Sequence, residues 1–239
     1  MSEVVVQPSA RRAIVRDAIG IGVATGAFGL SYGAIAVAPG LSVLQTCVLS
    51  LLMFTGASQF ALAGVVGAGG GALASVATAV LLGSRNALYG LQLSRVLRTR
   101  GFRHGLASQL VIDESAAMAV AQDEPAQARL GFWATGVAVF VLWNLGSLVG
   151  AVGADLLEDP NAFGLDVAGP AAFVALLAPR LRDAAAWVVA LVAAAVATVV
   201  VPLVPAGVPV LVAAAVATVV VLARTHGGRA PAGTDRTAS

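Results

Sequence analysis

Between positions 18 and 84 the chain has no Asp, Glu, Lys, Arg or His, a run of sixty-seven residues. A soluble fold does not hide that much sequence without a charged face. Lysine is missing throughout, so all 14 basic residues are arginine, and charged residues make up only 11% against roughly 25% in ordinary globular chains. A single cysteine, Cys47, lies in apolar sequence and excludes an intramolecular disulfide. The two histidines, His104 and His226, have no Cys, His or carboxylate neighbours at metal-ligand spacing. The glycine run 67–71 lacks the Lys-Ser/Thr of a phosphate loop, and no Gly-x-Ser-x-Gly elbow offers a nucleophile. No metal, cofactor or nucleic-acid partner is expected.

What remains is apolar, with 59% hydrophobic residues and a mean hydropathy of +0.91. A helix needs about 20 apolar residues to cross the ~30 Å hydrocarbon core of a bilayer. The first run is long enough for three such segments, 130–154 for one and 184–223 for two, while 105–121 and 163–178 are shorter. The expected fold is all-α: a polytopic integral membrane helical bundle with about six full spans plus one or two discontinuous or re-entrant segments. Its expected organisation is a cytoplasmic N-terminal anchor (1–17), a single transmembrane transport domain (18–223) and a disordered cytoplasmic tail (224–239). Residues 191–201 recur letter for letter at 211–221, in low-complexity Ala/Val sequence that reads as scaffold helix.

Cytoplasmic loops collect positive charge. Arginines cluster at 11, 12 and 16, at 95, 98, 100 and 103, at 180 and 182, and at 224 and 229, whereas the acidic residues Asp155, Glu158, Asp159 and Asp166 have no basic neighbour. Placing the basic clusters inside puts both termini in the cytoplasm and the acidic loop outside. Three full crossings from an inside N-terminus would leave Arg95–Arg103 outside, so a segment before residue 100 is expected not to cross. The candidate is 54–60 with the glycine run behind it, since Gly and small polar residues allow a helix to break where the freed backbone lines a cavity. The segment 105–121 is the second candidate.

Three groups of residues could carry chemistry. A single helix over 72–94 places Thr78, Arg85, Tyr89 and Gln92 on one face. An arginine facing lipid costs at least ~2.5–3.5 kcal/mol, so that face is expected to point into the bundle, where Arg85 either contacts a ligand or fastens two helices. Asp113 and Glu114 are the natural counter-charges; being ~100° apart around a helix, they cannot share one partner equally, and an interfacial helix with both acids at the headgroups is the bland alternative. Thr55 and Gln59, four residues apart around Gly56 and Ala57, offer a hydroxyl and an amide suited to a zwitterion, or simply interhelical hydrogen bonds. The pairs Gly22 and Gly26, Gly29 and Gly33, and Gly146 and Gly150 read as close-packing motifs.

These motifs resemble a known family. Phe54-Thr-Gly-Ala-Ser-Gln-Phe60, Ser84-Arg85-Asn86-Ala-Leu-Tyr89, Asp113-Glu114-Ser115 and the opening Gly26-Ala-Phe-Gly29 with Pro39-Gly40-Leu41-Ser42 are similar to the signatures of the azaleucine-resistance (AzlC-like) permeases, the large subunit of bacterial branched-chain amino acid exporters. The histidine that commonly follows the family's arginine is Asn86 here. The resemblance implies export of leucine, isoleucine, valine and methionine across the bacterial cytoplasmic membrane, driven by the proton gradient. It also implies a small hydrophobic AzlD-like companion subunit, Thr55, Gly56, Gln59, Arg85, Asn86 and Tyr89 as substrate-binding residues, and Asp113 and Glu114 for proton coupling or counter-charge.

The residues themselves favour a secondary transporter in contact with membrane lipid over two rivals. An intramembrane protease needs two acids on separate elements facing each other, and no second intramembrane acid is evident. A non-transporting assembly subunit would use its charges only to dock a partner.

Overall fold

The computed structural model describes residues 6–157, 174, 177–178, 181–205 and 208–227. Among them, all regular structure is helical, as the sequence requires. The chain divides into two units, Met1–Ala175 and Leu176–Ser239. Glu158, Asp159, Asp166, Arg180, most of 163–178 and the tail beyond 227 lie outside the described residues.

The first unit is built on two long helices, α1 (Pro8–Val37) and α8 (Pro125–Asp155), each opened by a proline whose missing N–H costs nothing in a first turn. At 30 and 31 residues they are about 45 Å long, enough to cross a bilayer. Glycines let their backbones touch. A methyl group on Gly29 would stand 2.6 Å from the Trp143 carbonyl oxygen, and methyls on Gly33, Gly146 and Gly150 would collide with Ser147, Gly26 and Leu30 respectively. Gly22 meets Ala138, Gly26 meets Leu142 and Gly33 meets Ser147 and Ala151, so the two helices run in the same direction. The expected anchor boundary at residue 17 falls inside α1.

Two helix–break–helix hairpins enter this pair from opposite ends. After the turn at Pro39 and Gly40, a Ser42/Gln45 capping box starts α2 (Val43–Leu52), with Gln45 N–H donating to Ser42 Oγ at 3.1 Å and Ser42 N–H to Gln45 Oε1 at 2.8 Å. The chain breaks at 53–55 and returns as α3 (Gly56–Gly67). Gly56 lies against the Trp143 ring midway along α8, whereas Gly67 is back beside Pro39, so α3 retraces the depth α2 descended. A turn through Gly69 at φ +78° leads into α4 (Ala72–Gly83), and α5 (Arg85–Leu97) follows after Ser84. At the far end Arg129 Nε donates to the Val96 carbonyl at 2.9 Å, so α4 and α5 together cross from the Pro39 end to the start of α8. The second hairpin is α6 (Phe102–Gln109), a break at 110–112, and α7 (Asp113–Val120). Leu110 reaches Gly136, but Met118 is back at Gly131. This path puts Arg95, Arg98, Arg100 and Arg103 at the end of the unit that holds Arg11, Arg12 and Arg16.

The expected single helix over 72–94 is a correction. It is interrupted at Ser84, whose Oγ donates to the Leu81 carbonyl at 2.7 Å, a side-chain bond that competes with the helical ladder and bends helices. The bend also turns the expected polar face: Thr78 is buried and Tyr89 packs on the core, but Gln92 is exposed and Leu93 takes the buried position.

The second unit contains α9 (Ala184–Val200), capped by Asp183 Oδ1 accepting from Ala186 N–H at 2.7 Å, and α10 (Val208–Gly227). The repeated sequence 191–201 and 211–221 falls in these two helices and the residue after α9.

Candidate functional site

Three chain interruptions, at 53–55, at Ser84 and at 110–112, converge halfway along the first unit. Each interruption exposes backbone groups that water cannot satisfy in a bundle, so side chains must. The last carbonyls of α2 are taken by two glutamine amides: Gln59 Nε2 donates to Met53 O at 2.9 Å and Ser50 O at 3.4 Å, and Gln109 Nε2 donates to Leu51 O at 2.8 Å. Gln109 thus ties the tip of one hairpin to the tip of the other. At the second break Ser115 Oγ donates to Leu110 O at 2.6 Å and accepts from Ile112 N–H at 3.1 Å.

Gln59 is fully buried, and its remaining polar atom is also used, since Trp143 Nε1 donates to Gln59 Oε1 at 2.7 Å. Around that bond Trp143 stacks on Tyr32 at 6.2 Å and meets Phe60 edge to face at 6.2 Å. Ser50 Oγ donates to Ser147 Oγ at 3.2 Å. A methyl on Gly56 would stand 2.8 Å from Trp143 Cη2, so the glycine lets α3 begin hard against the indole. Gln59 and Gly56 therefore shape the first break. The sequence singled out none of Trp143, Tyr32, Ser50 and Ser147 as site residues; pairing across about ninety residues leaves no local signal.

Arg85 and Asp113 meet as expected of opposite charges in apolar surroundings. Arg85 Nη1 lies 3.0 Å from Asp113 Oδ2, with the two side chains 32% and 24% exposed. Each is the first residue of its helix, α5 and α7, so the pair joins the α4–α5 bend to the tip of the second hairpin. Glu114 follows on α7, half-buried. The bend also touches the first hairpin: a methyl on Gly83 would lie 3.2 Å from Ser58 Oγ and 3.8 Å from Thr55 Cγ2. Thr55, Arg85, Asn86 and Asp113 are thus gathered around one locus, and Tyr89 stands one turn below Arg85 against the core. Four buried polar atoms near it, Ser58 Oγ, Thr78 Oγ1, Arg85 Nε and Asn86 Oδ1, have no hydrogen-bond partner. Among the described residues no group of three His, Cys, Asp or Glu could hold a metal.

Residues 20–157, more than half of the chain, match the family described as AzlC protein. The chain belongs to the AzlC family. The match runs from residue 20, inside α1, through α8, so it covers both hairpins and every residue of the locus, and it stops just past the end of α8. No curated protein and no solved structure matches the chain. Membership makes this AzlC protein a membrane permease of a transporter family, in keeping with α1 and α8, which are long and apolar enough to cross a bilayer.

Proposed function

We propose that this AzlC protein exports branched-chain amino acids, leucine, isoleucine, valine and methionine, across the bacterial cytoplasmic membrane as a proton-coupled secondary transporter. The observation that carries the reading is the convergence of three broken helices around the half-buried Arg85–Asp113 pair. Discontinuous helices meeting mid-bundle are how carriers present backbone dipoles and a few polar groups to a small solute. The substrate sits between Thr55 and the Arg85 face. Its branched side chain gains ~1.5–3 kcal/mol by burial, and its ammonium is met by Glu114, since Asp113 is paired with Arg85. Gln59 and Gly56 act by holding the first break in shape, and Asn86 and Tyr89 line the bend. Asp113 and Glu114 carry the coupling proton.

In this reading the two hairpins are re-entrant, one from each side. They alternate with the crossings α1, α4–α5 and α8. Such a path returns Arg95–Arg103 to the cytoplasmic side together with Arg11–Arg16, which removes the conflict raised by simple counting. Both termini are cytoplasmic. The functional unit includes a small hydrophobic AzlD-like companion subunit.

Cells loaded with leucine-containing dipeptides test the reading. Deleting the gene is expected to slow leucine appearance in the medium, and restoring the gene with its companion to recover it. Unchanged efflux in the deletion strain, in the absence of a second exporter, would refute the assignment.

A further inference from the structure

We propose that the first turn of α3, together with the Ser58 hydroxyl, is the receptor for the substrate's carboxylate. The inference rests on the export reading above and deepens it, because that reading leaves open which group holds the acid end of the amino acid.

α3 is 12 residues long and begins in the middle of the unit, with no side-chain cap on its first turn. Its first backbone bond of the helical type is Gln59 N–H to Thr55 O at 3.1 Å, so the N–H groups of Gly56, Ala57 and Ser58 point out along the axis as orphan donors. They form the positive end of the helix dipole, which attracts an anion.

Ser58 is an independent observation in the same turn. Its side chain is fully buried, yet Oγ has no hydrogen-bond partner. Buried hydroxyls are almost always bonded, and one that is not marks a missing partner. Oγ faces Gly83, two residues before Arg85, and so is directed at the α4–α5 bend. Three N–H donors and a hydroxyl thus share one turn, and such a set suits a carboxylate, which only accepts. A cation would meet the wrong end of the dipole.

Arg85 is the obvious rival for this role. Its Nη1 is already bonded to Asp113 at 3.0 Å, and a pair of opposite charges exerts little net pull on a third. The arrangement therefore separates the two ends of the substrate, carboxylate on α3 and ammonium toward Glu114 of α7, with the Arg85–Asp113 pair between them.

Everted membrane vesicles containing the full chain and its companion subunit provide the test, with radiolabelled leucine as substrate and 3-methylbutylamine, leucine without its carboxylate, as competitor. Ser58→Ala is expected to raise the KM for leucine about tenfold, as loss of a hydrogen bond to a charged group would, with maximal rate nearly unchanged. Inhibition by the amine is expected to stay the same. Ser58→Cys, close in size but a poor donor, is expected to behave alike and serves if the alanine variant does not accumulate. An unchanged leucine KM, or equal weakening of leucine and the amine, overturns the carboxylate assignment. Wild-type vesicles that fail to move leucine at all would overturn the export reading instead.

Discussion

Neutralising Arg85 and Asp113 singly and together is the sharpest probe of how the locus is held. The charges sit 3.0 Å apart with 32% and 24% of their side chains exposed. At an effective dielectric of ~20 their direct attraction is roughly 5 kcal/mol, most of which offsets desolvation. Exposed pairs couple by ~0.2–1 kcal/mol, whereas breaking a fully buried pair costs ~3–5 kcal/mol. A pair of intermediate exposure belongs between these limits. Arg85→Gln and Asp113→Asn are therefore each expected to cost about 2 kcal/mol, because each strands the other's charge. The double variant, which strands none, is expected to cost less than either single change. The assay is thermal unfolding of detergent-purified protein, read as the fraction still monodisperse after heating. Losses that add to within ~0.5 kcal/mol in the double variant would show two independent sites and refute the direct pair.

Other consequences follow from single contacts. Gln59→Leu leaves the Trp143 N–H and the Ser50 carbonyl without their amide partner and takes one of two donors from the Met53 carbonyl, which keeps the Thr55 N–H, so it is expected to lower stability by about 2–4 kcal/mol and abolish efflux; wild-type melting and transport would contradict the bracing role. Gly150→Ala forces a methyl into Leu30, whereas Gly20 has nothing within 4 Å, so only the first substitution is expected to deplete the protein from membranes. Equal abundance of the two variants would count against close α1–α8 packing. Cysteines placed at Arg100 and Asp155 are expected to react oppositely with an impermeant reagent, and labelling of both from outside would sink the re-entrant path.

Much of this was legible in the residues because bilayers impose simple rules. Charge-free runs, the small-residue motif at 54–60 and the acids at 113 and 114 mark where helices run, break and carry charge; the structure breaks the chain at 53–55 and 110–112. The Gly22, Gly26, Gly29 and Gly33 spacing likewise announces an interface that α8 fills. Tertiary facts were not legible. Nothing local tells a broken helix that continues from one that turns back, because the direction of α3 is set by contacts with Pro39 and Trp143. The interruption at Ser84, where the hydroxyl bonds the Leu81 carbonyl, leaves no mark in the residues, since Ser94 makes the same bond to Leu91 inside unbroken α5. The Gln59–Trp143 bond joins residues 84 apart in sequence, and neither residue type alone demands the other.

The proposed binding of substrate where the three broken helices meet can be read from one residue. In a Cys47→Ser background, Ser84→Cys places the protein's sole thiol at the bend between Arg85 and the Gly83–Ser58 contact. With a membrane-permeant maleimide, leucine is expected to slow alkylation of that thiol in a saturable way, while arginine at the same concentration leaves the rate unchanged. Alkylation that ignores leucine in a variant that still exports it would contradict the account.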